Sequence, residues 1–207
     1  MKKIIFDLDD TLIMFDPKYI ESYQIALKNA GYESTYEDAK YIFEAIDEFG
    51  YTVDIYTKEG LLEFINQKSN KNYDMVLIDE IFKAVGLKWT NPVPSSLFDL
   101  LDYLSSKYEL YVLTNFFTEC QAERLKNVGI DHYFKEVVGC DKVKAKPNKE
   151  AFLYFGNDSI MIGDNLESDI KGAIDAGIGA ILFDFKDRYG NLDYKRVTNY
   201  EQLKDIL

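Results

Sequence analysis

The sequence is short of basic residues, histidine, cysteine and proline, and each shortage narrows what the chain can be. Lys and Arg number 24 against 36 Asp and Glu, a formal charge of -12. No nucleic acid and no anionic membrane surface is therefore expected as a partner. Any phosphate site has to be made positive locally. His132 is the only histidine and reads as structural, which excludes mechanisms built on a histidine base or a phosphohistidine. Cys120 and Cys140 lack metal-like spacing and are expected as free thiols in a reducing cytoplasm. No apolar run approaches the roughly 20 residues needed to span a bilayer. The N-terminus enters a strand directly, without the small-residue cleavage site of a signal peptide.

What is present suits one full domain plus a sizeable insertion: 207 residues, 47% hydrophobic and 29% charged. Ile4-Ile5-Phe6 is an unbroken apolar run of the kind that a parallel sheet buries on both faces. Helical periodicity then predicts helices over 18–30 (Pro17 at the start, Gly31 as stop), 36–49, 58–67 and 74–85 (stopped by Gly86). Four helices without an intervening strand predict a helical insertion over 15–94, closed by Asn91-Pro92-Val93-Pro94. From Ser95 the chain alternates. Helices are predicted over 95–106 (capped by Ser95-Ser96), 118–128, 149–155, 166–176 and 200–206. Strands are predicted over 110–113, 134–138, 160–162 and 178–183. The expected class is α/β: a Rossmann-like parallel sheet with helices on both faces, formed by 1–14 and 95–207, and a small helical-bundle cap over 15–94.

The ends of the strands carry the chemistry. The first runs into Asp7-Leu8-Asp9-Asp10-Thr11, the second into Thr114-Asn115, and a later one into Gly163-Asp164. In extended backbone Asp7 and Asp9 share a face. Two carboxylates that close ask for a cation, and a hard oxygen-seeking ion such as Mg2+ answers where phosphate is also handled. Lys142-Val143-Lys144-Ala145-Lys146-Pro147 is a basic loop in an acidic chain. Acid, hydroxyl, amine and acid at successive strand ends converge on one edge of an open parallel sheet. That set suits phosphoryl transfer, which needs a nucleophile, a metal between carboxylates, and donors on the phosphoryl oxygens.

The same four motifs, in this order, resemble those of the haloacid dehalogenase superfamily of hydrolases. Asp7-Leu8-Asp9-Asp10-Thr11 is similar to its DxDxT, Thr114 to its second motif, Lys146-Pro147 to its third, and Gly163-Asp164 with Asp169 to its GDxxxxD. The insertion over 15–94 resembles the family's small cap. The resemblance implies that Asp7 is the nucleophile and forms an aspartyl-phosphate. Asp9 would protonate the leaving oxygen and then activate water, its backbone carbonyl on Mg2+. Thr114, with the backbone around Asn115, would hold the phosphoryl group and Lys146 would neutralise it. Asp164 would ligate Mg2+ beside Asp7, with Asp169 in support. Asp10 and Glu167 read as capping or surface groups.

Asp9 decides the reaction type. Family members that cleave carbon–halogen bonds lack an acid at this position, because halide leaves without a proton, whereas an alkoxide needs one. The expected activity is an Mg2+-dependent phosphatase acting on a small phosphorylated metabolite: a sugar phosphate, a nucleoside monophosphate or a phospho-acid. A phosphomutase of the same family and a receiver-like phosphoacceptor domain are the alternatives. The protein is expected as a monomer or homodimer. Asp16, Tyr19 and Tyr23, near the first hinge, are candidates for selecting the leaving group.

Overall fold

The structure, a computed structural model, describes residues 2–15, 19–50, 52–88, 91–190 and 193–207, apart from the side chains of 87 and 88. The sheet is built from β1 (Lys3–Phe6), β2 (Glu109–Leu113), β3 (Phe134–Val138), β4 (Ser159–Gly163), β5 (Gly179–Phe183) and β6 (Arg196–Val197). Their order is β3-β2-β1-β4-β5-β6, and every pairing is parallel. The chain winds outward from β1 in one direction, then crosses back and winds outward in the other. The strand order therefore reverses between β1 and β4, and a crevice opens at that switch point beyond the carboxyl ends of the strands.

Burial on both faces follows from the alternation of side chains along β1. Ile4 and Phe6 pack with α5 (Ser95–Ser105) and α9 (Tyr200–Ile206), while Ile5 turns to the opposite face with Phe152 of α7 (Lys149–Leu153) and Ala173 of α8 (Gly172–Asp175). This is the Rossmann-like α/β architecture that the alternating pattern predicts.

Between β1 and α5 lie α1 (Tyr19–Asn29), α2 (Tyr36–Phe49), α3 (Lys58–Ser69) and α4 (Met75–Lys88). Thr35 caps α2 by accepting from Asp38 N, and Thr57 caps α3 by accepting from Gly60 N. Their apolar faces close on one another, and the cluster reaches Phe117, Cys120 and Cys140 of the α/β part. Asp16, Pro17 and Lys18 lie outside the described residues.

Four local expectations are corrected. Gly86 does not stop α4, which runs to Lys88; Asn127 of α6 (Thr118–Asn127) donates to the Gly86 carbonyl, so packing against α6 carries the helix past its weakest residue. Pro94, not Ser95-Ser96, occupies the cap position of α5, without a side-chain cap. The helix expected over 166–176 begins as a wide π turn, Leu166–Lys171, and is α-helical only over Gly172–Asp175. Asn165 Oδ1 takes the amides of Glu167 and Ser168, and Asp169 Oδ2 takes that of Asn165, so side chains replace the first helical bonds. Finally, β6 went unpredicted: two residues are too short to show a period.

Candidate active site

β1 ends at Phe6, and extended geometry ends with it. Asp10 is left-handed, at φ 55°, Asp9 bridges to Ile13, and Asp10 Oδ1 accepts from Phe15 N at 2.9 Å. Lys186 holds the other Asp10 oxygen, so Asp10 is the pin of this turn. The two carboxylates that precede it take different partners. Asp7 meets Lys146 Nζ at 2.5 Å, whereas Asp9 is gripped from both oxygens by Arg124, at 2.6 and 3.0 Å.

Lys146 is 3% exposed and bridges Asp7 and Asp169, the latter at 2.7 Å. Its loop is clipped to the end of β2 by Asn115. The side-chain amide accepts from Lys146 N at 2.8 Å and donates to Lys146 O at 2.9 Å. Both ends of the Asn115 side chain face the lysine backbone, which leaves the backbone around Asn115 for any phosphoryl group. Thr114, 3% exposed, lines the same crevice.

β4 supplies the remaining acids. Asp164 follows Gly163, and the wide turn after it folds Asp169 back over the strand end. Gly163 is required there, because a Cβ would stand 2.5 Å from Asp169 Cγ. Arg188 NH2 donates to Asp164 Oδ2 at 2.6 Å and to its carbonyl at 3.0 Å. Asp7, Asp164 and Asp169 bring one oxygen each within 4.8 Å of one another.

The profile of the haloacid dehalogenase-like hydrolases matches residues 1–177. The chain belongs to that family. It is 31% identical to a glyceraldehyde 3-phosphate phosphatase of Methanothermobacter thermautotrophicus over the whole of both chains. It is 28% identical to a pyrimidine 5'-nucleotidase of Escherichia coli, covering 84% of this chain and 82% of the relative. Among solved structures, the HAD-hydrolase YfnB of Bacillus subtilis superposes with a TM-score of 0.74 at 21% identity, over 100% of this chain and 98% of the other.

The electrostatics of this site are dominated by buried carboxylates. Burial drives Asp7 well above the usual carboxylate range; Lys146 opposes this, and Asp169 and Asp164 add to it. Burial likewise pushes Asp164 up to about 6 against the pull of Arg188. Lys146 stays charged, because its two carboxylate partners outweigh its desolvation. Asp169 Oδ1 lies 2.7 Å from Lys146 Nζ, a buried ion pair. Three converging carboxylates form a hard all-oxygen donor set, and the residues fit Mg2+.

The crevice encloses about 350 Å³. Its floor is the acid and lysine cluster; its far wall carries Phe15, Tyr23, Phe43, Tyr56 and Asp47. Lys146 is the only basic side chain among the described residues that line it. Tyr19 packs on Phe15 and Phe43 behind that wall rather than lining it. Burial raises the Tyr23 hydroxyl well above its ordinary range and keeps it protonated.

Two side chains at the site escaped the sequence reading, Gln121 and Arg124. Both lie on α6, a strongly polar helix whose residues look like a solvated face, yet Gln121 is 2% and Arg124 0% exposed. Their spacing of three, which brings them onto one face, was the available signal.

Proposed function

We propose that the chain is an Mg2+-dependent phosphatase that hydrolyses compact phosphomonoesters through an aspartyl-phosphate on Asp7. The observation that supports this most is the pairing of a buried Asp7 with a buried Lys146 beside Asp164 and Asp169, at the switch point of the sheet. A carboxylate oxygen of Asp7 attacks phosphorus in line with the ester oxygen, forming the O–P bond as the P–O bond to the leaving group breaks. Lys146 balances charge on Asp7 and on the phosphoryl oxygens, and the Thr114 hydroxyl donates to one of them. Asp9 gives a proton to the departing alkoxide. It then takes one from the water that cleaves the aspartyl-phosphate, which restores Asp7 and releases phosphate. Asp7 and Asp164, with Asp169 in support, would hold Mg2+, which when bound supplies positive charge to the phosphoryl oxygens.

Residues 1–14 and 95–207 act as the catalytic core in this reading, and 15–94 as a cap that closes the crevice. The far wall narrows the substrate class. Aromatic rings favour the C–H faces of a sugar or the face of a base, and Asp47 accepts from hydroxyl or N–H groups. A second phosphate or a carboxylate would meet Asp47 without a compensating cation among the described lining residues. Uncharged leaving groups are favoured over phospho-acids within the expected set.

The test is turnover of p-nitrophenyl phosphate with Mg2+. Many turnovers per chain, loss with EDTA and loss in an Asp7→Asn variant that remains folded are expected. Retained turnover in that variant refutes Asp7 as nucleophile. A stop after a single phosphoryl group refutes hydrolysis.

A further inference from the structure

Gln121 and Arg124 close a chain of hydrogen bonds between the two functional strand ends. Arg124 NH1 donates to Gln121 Oε1 at 2.8 Å, and Gln121 Nε2 donates to Thr114 Oγ1 at 2.8 Å. Arg124 also takes both oxygens of Asp9, while Gln121 Nε2 stands 3.5 Å from Asp9 Oδ2. Asp9, Thr114 and Gln121 line the crevice, and Gln121, Arg124 and Thr114 are buried.

The direction of each bond follows from chemistry alone. A guanidinium has five N–H donors and no acceptor, so the Gln121 oxygen must face Arg124. Its NH2 group must then face Thr114, and the usual ambiguity between amide oxygen and nitrogen disappears. An NH2 group only donates, so Thr114 Oγ1 accepts. A hydroxyl that accepts in this way keeps its own hydrogen for another partner. Among the described residues no acceptor takes that hydrogen, and Thr114 borders the crevice.

From this we infer that Gln121, fixed by Arg124, is a positioning residue that orients the Thr114 hydroxyl as a donor into the phosphoryl site. The arrangement presets one hydrogen bond to the anion before substrate arrives, so no side-chain dipole has to turn during the reaction. Arg124 serves two functions through one guanidinium: it anchors Asp9 directly and sets Thr114 through the amide. The inference rests on the proposed phosphatase reading, since it needs a phosphoryl group at Thr114.

Gln121→Glu tests it. The shape is kept, and the new carboxylate still pairs with Arg124, but an acceptor now faces Thr114 and captures its hydrogen. Binding of inorganic phosphate with Mg2+ present, followed by calorimetry, is expected to weaken by about thirtyfold, or roughly 2 kcal/mol at 1.4 kcal/mol per tenfold, the scale of one hydrogen bond to a charged group. KM for p-nitrophenyl phosphate rises with it. Thr114→Val shows the same loss, and the double variant loses no more than either alone, because both changes remove one bond. Gln121→Met, which leaves the hydroxyl free to rotate, loses only a few-fold and covers the case in which the glutamate variant fails to fold. Unchanged phosphate affinity in Gln121→Glu and Gln121→Met overturns the inference. So does a loss that adds to that of Thr114→Val. If the unsubstituted protein turns over the ester while these variants match it, the inference fails and the phosphatase reading stands. If it neither binds phosphate nor turns over, both fail.

Discussion

Adding a divalent cation to metal-free protein should stabilise it, and more strongly at pH 7.5 than at pH 5. Asp164 carries the argument. Its carboxyl titrates at 3.8 when unperturbed and at about 6 in the fold. The folded chain therefore binds more protons than the unfolded chain between those values, and this contribution to stability falls as pH rises through the window. Above pH 6 the shift of about two units amounts to roughly 3 kcal/mol at 1.36 kcal/mol per unit, a cost that a bound cation would offset in part. Burial and like charge raise Asp7 in the same direction. At a cation concentration about a hundred times its Kd, binding adds about 2.7 kcal/mol. For a chain of this length, at about 2–4 °C per kcal/mol, that is a rise in Tm of about 5–10 °C. At pH 5 the cation must displace protons and the rise should shrink to less than half. The assay is thermal unfolding followed by circular dichroism, with EDTA or with 10 mM MgCl2 (about the level a weak site needs). Asp164→Asn should unfold at a higher temperature than the parent in EDTA at pH 7.5 and gain little from Mg2+. Equal Tm with and without Mg2+ at pH 7.5, or a larger gain at pH 5, would refute the cluster as a cation site.

Other perturbations probe separate parts of the site. Asp9→Ala removes the carboxylate, one-third exposed, that holds the buried Arg124; the loss should be about 1.5–3 kcal/mol, read as a lower urea midpoint with unchanged slope. A panel of phosphomonoesters matched in size should show kcat/KM for uncharged leaving groups about tenfold or more above those bearing a carboxylate or second phosphate. Asp47→Lys should narrow or reverse that preference, and a panel without charge preference would remove Asp47 as the selector.

Three strand ends were legible because Asp7, Thr114 and Asp164 close apolar runs, and a run that stops at a polar side chain shows where a buried strand meets the crevice. Lys146 and Asp169 follow no such run and were legible only through the family resemblance; all five line one cavity. Other features depend on tertiary partners. Arg124 is invisible as a buried residue until Asp9 is beside it, since an arginine on a polar helix has the pattern of a solvated one. The turn after Asp9 depends on one left-handed residue, Asp10, which period-two reasoning takes as extended. Gly86 reads as a stop because propensity is local, whereas contact with α6 is not.

The amide of Asn115 behaves toward Lys146 as a neighbouring strand would, offering one acceptor and one donor to a single residue's backbone. The height of the ammonium above the sheet is thus set from β2 as well as by the path the chain takes from Gly139 to Ala145. That path is anchored in its own right, since Cys140, Val143 and Ala145 are buried and Asp141 takes the amide and hydroxyl of Thr118. Lys142 and Lys144 turn outward from it, at 38% and 32% side-chain exposure, so the charge of the loop can be changed at those two positions without moving the ammonium.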